Sequence, residues 1–182
     1  MTELELIIEQ TTGYKNSRQG TADFMLARPE LLDQFLFSCF EIDNPNHYKA
    51  CWALELMAYE KLEWLQPHLD LICSKSQILT NESAIRPLAK VLYLLLESHY
   101  RKTDYRITLT ETQRQNLIET NFDWLINDAK VAAKAQAMRS LYLLGNEYDW
   151  IHPELKTILV KDFSSHTAAY KAVSKHILKK LK

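Results

Sequence analysis

The segment Asn121–Pro153, NFDWLINDAKVAAKAQAMRSLYLLGNEYDWIHP, decides how the chain folds. Val131, Ala135, Met138 and Tyr142 recur at i, i+4, i+7 and i+11, with Leu141 beside them. That is the spacing of one apolar stripe on an amphipathic helix. Asp128 stands before this helix in the position of an N-cap, and Gly145 follows it as a C′ glycine would. Another helix ends at Trp124 to Ile126, a few polar residues upstream. Helices joined so tightly must lie against each other, so the segment reads as a helix pair.

Outward from this pair the unit recurs. Toward the N-terminus, Pro29-Glu30-Leu31 opens a helix carrying Leu32, Phe35, Leu36 and Cys39. Asn44 then caps a helix with Pro45 at its first position, where proline is tolerated, and with Ala50, Ala53, Leu54 and Met57 on its apolar face. Pro67-His68-Leu69 opens a helix through Ile72 and Cys73. A strongly apolar helix with Leu88, Ala89, Leu92, Leu95 and Leu96 follows Thr80-Asn81-Glu82. Beyond a polar connection from His99 to Leu109, Thr110 and Gln113 have capping-box spacing for a helix with Ile118, Phe122 and Leu125. Toward the C-terminus, Pro153-Glu154-Leu155 begins a helix with Ile158, Leu159 and Phe163, and Ser165 caps a last one with Ala168, Ala172, Ile177 and Leu181. Residues 1–28 differ: Leu4, Ile7 and Ile8 give a short helix, a polar break holds Gly13 and Gly20, and Ala22 to Ala27 form another short helix.

Lys49-Ala50, Leu88-Ala89, Lys134-Ala135 and Lys171-Ala172 fall at intervals of roughly 40 residues. Trp64-Leu65-Gln66-Pro67-His68-Leu69 matches Trp150-Ile151-His152-Pro153-Glu154-Leu155 two intervals later. One helix pair cannot bury its apolar face alone, so pairs stack, and alanines at aligned positions let neighbours approach. In these features the chain resembles HEAT-like and armadillo-type α-solenoids, whose second helix opens with a Val-Arg-x-x-Ala type pattern. Asp128-Ala129-Lys130-Val131-Ala132-Ala133-Lys134-Ala135 looks most like it, and Ala84-Ile85-Arg86-Pro87-Leu88-Ala89 resembles it with a proline inside. The resemblance implies an all-α, right-handed α–α superhelix in a single domain, 1–182. About four HEAT-like helix pairs would span 29–182, with an atypical helical cap at 1–28. The chain is also similar to short Bacteroidetes-type proteins that carry the label adenylosuccinate lyase. The Ser-rich loop of that lyase family, Ser-Ser-x-Met-Pro-x-Lys-x-Asn, has no counterpart here, and lyase activity is not expected.

Composition excludes several classes of function. With 47% hydrophobic and 25% charged residues, 182 residues suit one globular domain with a real core. Only three glycines are present, too few for hairpin turns or glycine-rich phosphate loops. The formal net charge is −1, with 22 basic against 23 acidic residues, whereas gripping nucleic acid favours a basic excess. Cys39, Cys51 and Cys73 are odd in number and lie among apolar residues, which suits buried free thiols in a reducing compartment. The N-terminus MTELELIIEQ is acidic and unlike a signal peptide, and no apolar run approaches the roughly 20 residues of a membrane span. A soluble cytoplasmic protein is expected, with no membrane partner.

Candidate chemistry is sparse. His47, His68, His99, His152, His166 and His176 fall into no zinc spacing, so no metal or cofactor is expected and no catalytic residue is assigned. Trp64 and Trp150 precede matching helix starts and suit packing between successive pairs, and Trp124 suits the core. Trp52 points away from the stripe of Ala50, Ala53 and Met57 and could anchor a partner. Arg86, Lys90, Tyr93 and Glu97 form a polar stripe along the most apolar helix. Second helices line the concave surface of HEAT-like stacks. The resemblance therefore places this stripe in a groove, flanked by Lys49, Trp52, Glu55 and Arg139. The run Lys171, Lys175, Lys179, Lys180 and Lys182 complements a helix dipole. The expected function is a non-catalytic scaffold that binds a protein or peptide on the concave face. The alternative is nucleic-acid binding of a DNA-repair type, by analogy with HEAT-like DNA glycosylases.

Overall fold

The structure, a computed structural model, describes residues 1–101, 106–127 and 129–181. Asp128, Lys182 and residues 102–105 of the polar connection, on which sequence expectations fall, lie outside the described residues. The α-helices are α1 (Glu3–Gln10), α2 (Lys15–Leu26), α3 (Leu32–Phe40), α4 (His47–Glu60), α5 (Leu69–Lys75), α6 (Glu82–Tyr100), α7 (Glu111–Ile126), α8 (Val131–Leu144), α9 (Ile151–Asp162) and α10 (Ala168–Lys180). Short 3-10 segments cover Pro29–Leu31, Leu62–His68 and Ser76–Ile78, and no strand occurs among the described residues. The all-helical expectation holds. No described helix is long and apolar enough to cross a membrane. The chain divides into two compact units, Met1–Val91 and Leu92–Lys182, and the boundary falls inside α6.

Unit 1 is built around α4, against which α1, α2 and α3 pack. Ala50, Ala53, Leu54 and Met57 are buried there as their spacing predicts, with Met25 of α2 and Phe35 and Leu36 of α3 also fully enclosed. The segment read as a polar break is in fact most of α2, and Gly20 lies in its interior. The buried face of α2 is only Thr21, Ala22 and Met25, too small and mixed to stand out as an apolar stripe. Asn44 does not cap α4. Its Oδ1 accepts from the Asn46 amide at 2.9 Å, so Pro45 sits in a turn and the helix begins at His47. All three cysteines are buried and free. Cys51 Sγ donates to the Cys39 carbonyl at 3.4 Å, and His47 Nδ1 lies 3.2 Å from the same oxygen.

Unit 2 is built around α8, which packs against α7, α9 and α10. The helix is consequently buried on several sides at once. Ala133, Lys134, Ala137, Met138, Ser140, Leu141 and Leu144 are enclosed, whereas Val131, Ala135 and Tyr142 of the predicted stripe are only half-buried. Lys134 is tolerated inside because its Nζ donates to the Leu125 carbonyl at 2.9 Å, near the C-terminal end of α7. The capping box of α7 forms in full: the Gln113 amide donates to Thr110 Oγ1, and the Thr110 amide to Gln113 Oε1. The last helix is capped by Thr167 rather than Ser165, with Thr167 Oγ1 accepting from the Tyr170 amide.

Three further expectations change. Gly145 has φ −65°, so no left-handed C′ conformation exists there. The position needs glycine for a different reason: an added Cβ would overlap the His152 ring. Trp150 is 55% exposed and stacks on Phe122 at 5.6 Å, so it is not enclosed between helix pairs. Ala50 and Ala89 are fully buried, but Ala135 is half-buried and Ala172 exposed, so the aligned alanines do not share one environment.

Candidate functional site

In unit 1 the outer face of α4 presents Trp52, Glu55 and Tyr59 at i, i+3 and i+7, one side of a helix. Trp52 is half-buried, edge-on to Tyr48 with ring centroids 4.9 Å apart. From α2, the Arg18 guanidinium lies 5.9 Å from the Trp52 ring, and its Nε is buried without a hydrogen-bond partner. From α6, Lys90 Nζ sits 5.7 Å from the Tyr59 ring, and Arg86 is exposed one turn earlier. At the centre is Glu55, which accepts from the Tyr59 hydroxyl. Burial pushes its carboxyl up, and the opposing pull of Arg86, Arg18, Lys90 and the Tyr59 hydrogen bond does not cancel that effect. Burial and the Glu55 charge in turn raise the Tyr59 phenol.

Four of the five site residues expected in this unit, Trp52, Glu55, Arg86 and Lys90, are therefore brought together. Lys49 is not among them: its Nζ donates to the Glu9 carbonyl and so neutralises the C-terminal end of α1. Sequence reasoning missed Arg18 and Tyr59. Tyr59 follows Glu55 by one helical turn and was within reach of a periodicity argument. Arg18 was not, because it lies on a helix with no strong apolar signature.

The remaining three expected residues belong to unit 2. Tyr93, Glu97 and Arg139 line one cleft of about 410 Å³ together with Tyr142, His176 and Lys180. Glu97 Oε1 accepts from the Tyr93 hydroxyl and from Arg101 Nη2, both at 2.8 Å. Burial raises the Tyr93 phenol, followed by its bond to Glu97, while Arg139 and Arg101 pull the other way. The Lys180 ammonium lies 5.2 Å from the Tyr142 ring.

A second polar cluster in unit 2 was not foreseen. Arg114 pairs with Glu111 at 2.7 Å and Glu147 at 3.1 Å, and its Nε donates to the Tyr148 hydroxyl. Tyr100 donates to Glu147 at 2.8 Å, and burial with that bond raises its phenol well above the usual range. The cluster clamps the start of α7 to the turn after α8, an ion-pair network of structural type.

The histidines behave as local fasteners. His68 Nδ1 lies 3.1 Å from Asp33, and His152 Nε2 lies 2.9 Å from the Tyr142 carbonyl. No group of three His, Cys, Asp or Glu able to hold a metal ion occurs among the described residues. What the unit 1 site offers is a surplus of positive charge and an aromatic face around one carboxyl of raised proton affinity. Compared with family models, with curated proteins and with solved structures, the chain matches none.

Proposed function

We propose that the protein is a non-catalytic binding scaffold that takes an acidic peptide segment on the face formed by α2, α4 and α6. The observation that carries this reading is the grouping of Arg18, Arg86 and Lys90 around Trp52 and Glu55. Three guanidinium or ammonium groups facing one carboxyl leave a net positive site, and Glu55 is the partner easiest to neutralise because burial already favours its protonated form. Arginine forks match carboxylate oxygens in bidentate fashion, and Trp52 adds a flat anchor of the kind that dominates peptide interfaces.

A HEAT-like superhelix is the architecture we assign to this scaffold. Consecutive helices pack as pairs in α3–α4, α7–α8 and α9–α10, and alternate helices pack in α2–α4 and α8–α10. Both kinds of neighbour are what stacked helix pairs require. On this reading α1 and α2, both packed on α4, form the atypical N-terminal cap, and the α4 and α6 residues face the concave side.

The test is fluorescence anisotropy with a labelled glutamate-rich peptide against the full chain, at low and at moderate salt. Binding should weaken as salt rises and fall at least about tenfold in the Arg86→Ala/Lys90→Ala variant, the equivalent of one or two charge-assisted contacts. Absence of binding, or unchanged binding by that variant, would overturn the proposal. A labelled single-stranded oligonucleotide is the control arm. If it binds and the peptide does not, the nucleic-acid reading takes its place, since base stacking on Trp52 uses the same aromatic and cations.

A further inference from the structure

Asp33 and Phe37 lie one turn apart on the outward side of α3, Glu41 follows at its C-terminal cap, and all three are exposed. Phe37 is 63% exposed, the most uncovered phenylalanine of the chain, and the Asp33 side chain is 85% exposed. It stands on the rim of a groove of about 910 Å³ between α1, α3 and the start of α4. The groove floor includes Leu4 and Ile8, and its lining carries the carboxylates of Glu5, Glu9, Asp33 and Glu41 against one cation, the Met1 ammonium 3.9 Å from Glu5. The surface is thus an aromatic knob with a carboxylate one turn before it and another one turn after.

A surface of opposite character lies on α9 and α10. Val160, Phe163 and Leu178 line an open hollow of about 650 Å³, with Lys175 and Lys179 on its edge and no carboxylate in its lining. Val160 is 60% exposed. Lys175 and Lys179 are one turn apart on α10, as Asp33 and Phe37 are on α3. A helix stripe of acid, aromatic and acid therefore meets a hollow that is apolar in the middle and cationic along one side.

We infer that this chain self-associates head to tail, with Phe37 of one copy seated in the Val160–Phe163–Leu178 hollow of another, and Lys175 and Lys179 set against Asp33 and Glu41. Burying the Phe37 ring and the hollow removes apolar surface from water, and the paired charges fix the register. Two local contacts coexist with this arrangement: Asp33 lies near His68 Nδ1, and Glu41 accepts from Asn44 Nδ2 at 3.2 Å. Both carboxylates keep a second oxygen for a lysine. The contact joins two different patches, so it is heterologous, and each added copy leaves one free patch of each kind. It uses neither the Trp52 cluster nor the Glu97 cleft and stands or falls independently of the peptide-binding proposal.

Sedimentation equilibrium of the full chain over a range of concentrations tests it, with circular dichroism confirming helicity. The wild type should associate in a concentration-dependent way that salt weakens. Lys175→Glu/Lys179→Glu removes one patch and Phe37→Asp the other, each at exposed positions, so each variant alone should be monomeric. An equimolar mixture of the two should form one-to-one dimers and stop there, because each partner keeps one intact patch. A wild type that stays monomeric, association that survives both variants, or a mixture that fails to pair would overturn the inference. So would loss of Lys175 and Lys179 affecting only adhesion to anionic lipid vesicles, since that would assign the basic apolar hollow to a membrane surface.

Discussion

At Gly145 the chain needs a residue without a side chain, although its backbone is ordinary. The His152 ring occupies the space a Cβ would take, held there by the Tyr142 carbonyl and by stacking on the Tyr142 ring at 5.4 Å. Gly145→Ala should therefore lower stability by about 1–3 kcal/mol, the usual cost of overpacking. In a His152→Ala background the same change should cost much less, and thermal melts of the four proteins in the cycle would show it. His99 gives a pH dependence. It is buried, and the Leu109 amide donates to its Nδ1 at 3.2 Å, which a protonated ring could not accept. Burial draws its pKa below the ordinary 6.5, Arg114 and Arg106 add to this, and the Ile107 carbonyl opposes it. The unfolded chain then binds the proton more readily than the folded one, so stability rises with pH across this window. Unit 2 should lose stability as pH falls below about 6.5. Urea titrations over that range would reveal the slope, which His99→Gln should flatten.

Among the helices, α7 has the best-defined start. Its capping box satisfies two backbone amides that would otherwise lack partners, so Thr110→Ala should cost about 1 kcal/mol. Ser165→Ala should be nearly silent, because the cap of α10 is Thr167; chemical denaturation of both variants checks the contrast. These two starts also show what a sequence discloses. The Thr110–Gln113 box is a local pattern with both partners three residues apart, and it could be read directly. Ser164, Ser165 and Thr167 all stand before α10, and only the backbone geometry selects one. The α8 stripe was misjudged because three helices cover α8, and a helix covered on several sides has no single apolar face. The Arg86–Lys90 part of the candidate site was legible as a helical period. Its closure by Arg18 depends on α2 packing against α4, a tertiary contact that no local spacing encodes.

For the molecule as a whole, the distribution of thiols is informative. Cys39, Cys51 and Cys73 all lie in the first compact unit, and each is 0% exposed. Hydrogen bonds from Cys39 and His47 lower the Cys51 thiol to about 7 against the effect of burial, whereas burial raises Cys73 to about 12. Access therefore governs their chemistry more than acidity does. The native protein should release almost no colour with a thiol reagent, and the denatured protein should titrate three groups. A substantial native titre would mean that unit 1 opens far more readily than its burial indicates. The second unit contains no sulfhydryl at all. A single cysteine placed at an exposed position there, for example by Lys156→Cys, would be the one address in the native protein that a maleimide dye can reach. The wild-type sequence thus comes ready for site-specific labelling without prior removal of its own cysteines, and a dye on α9 would report directly on whatever approaches that helix.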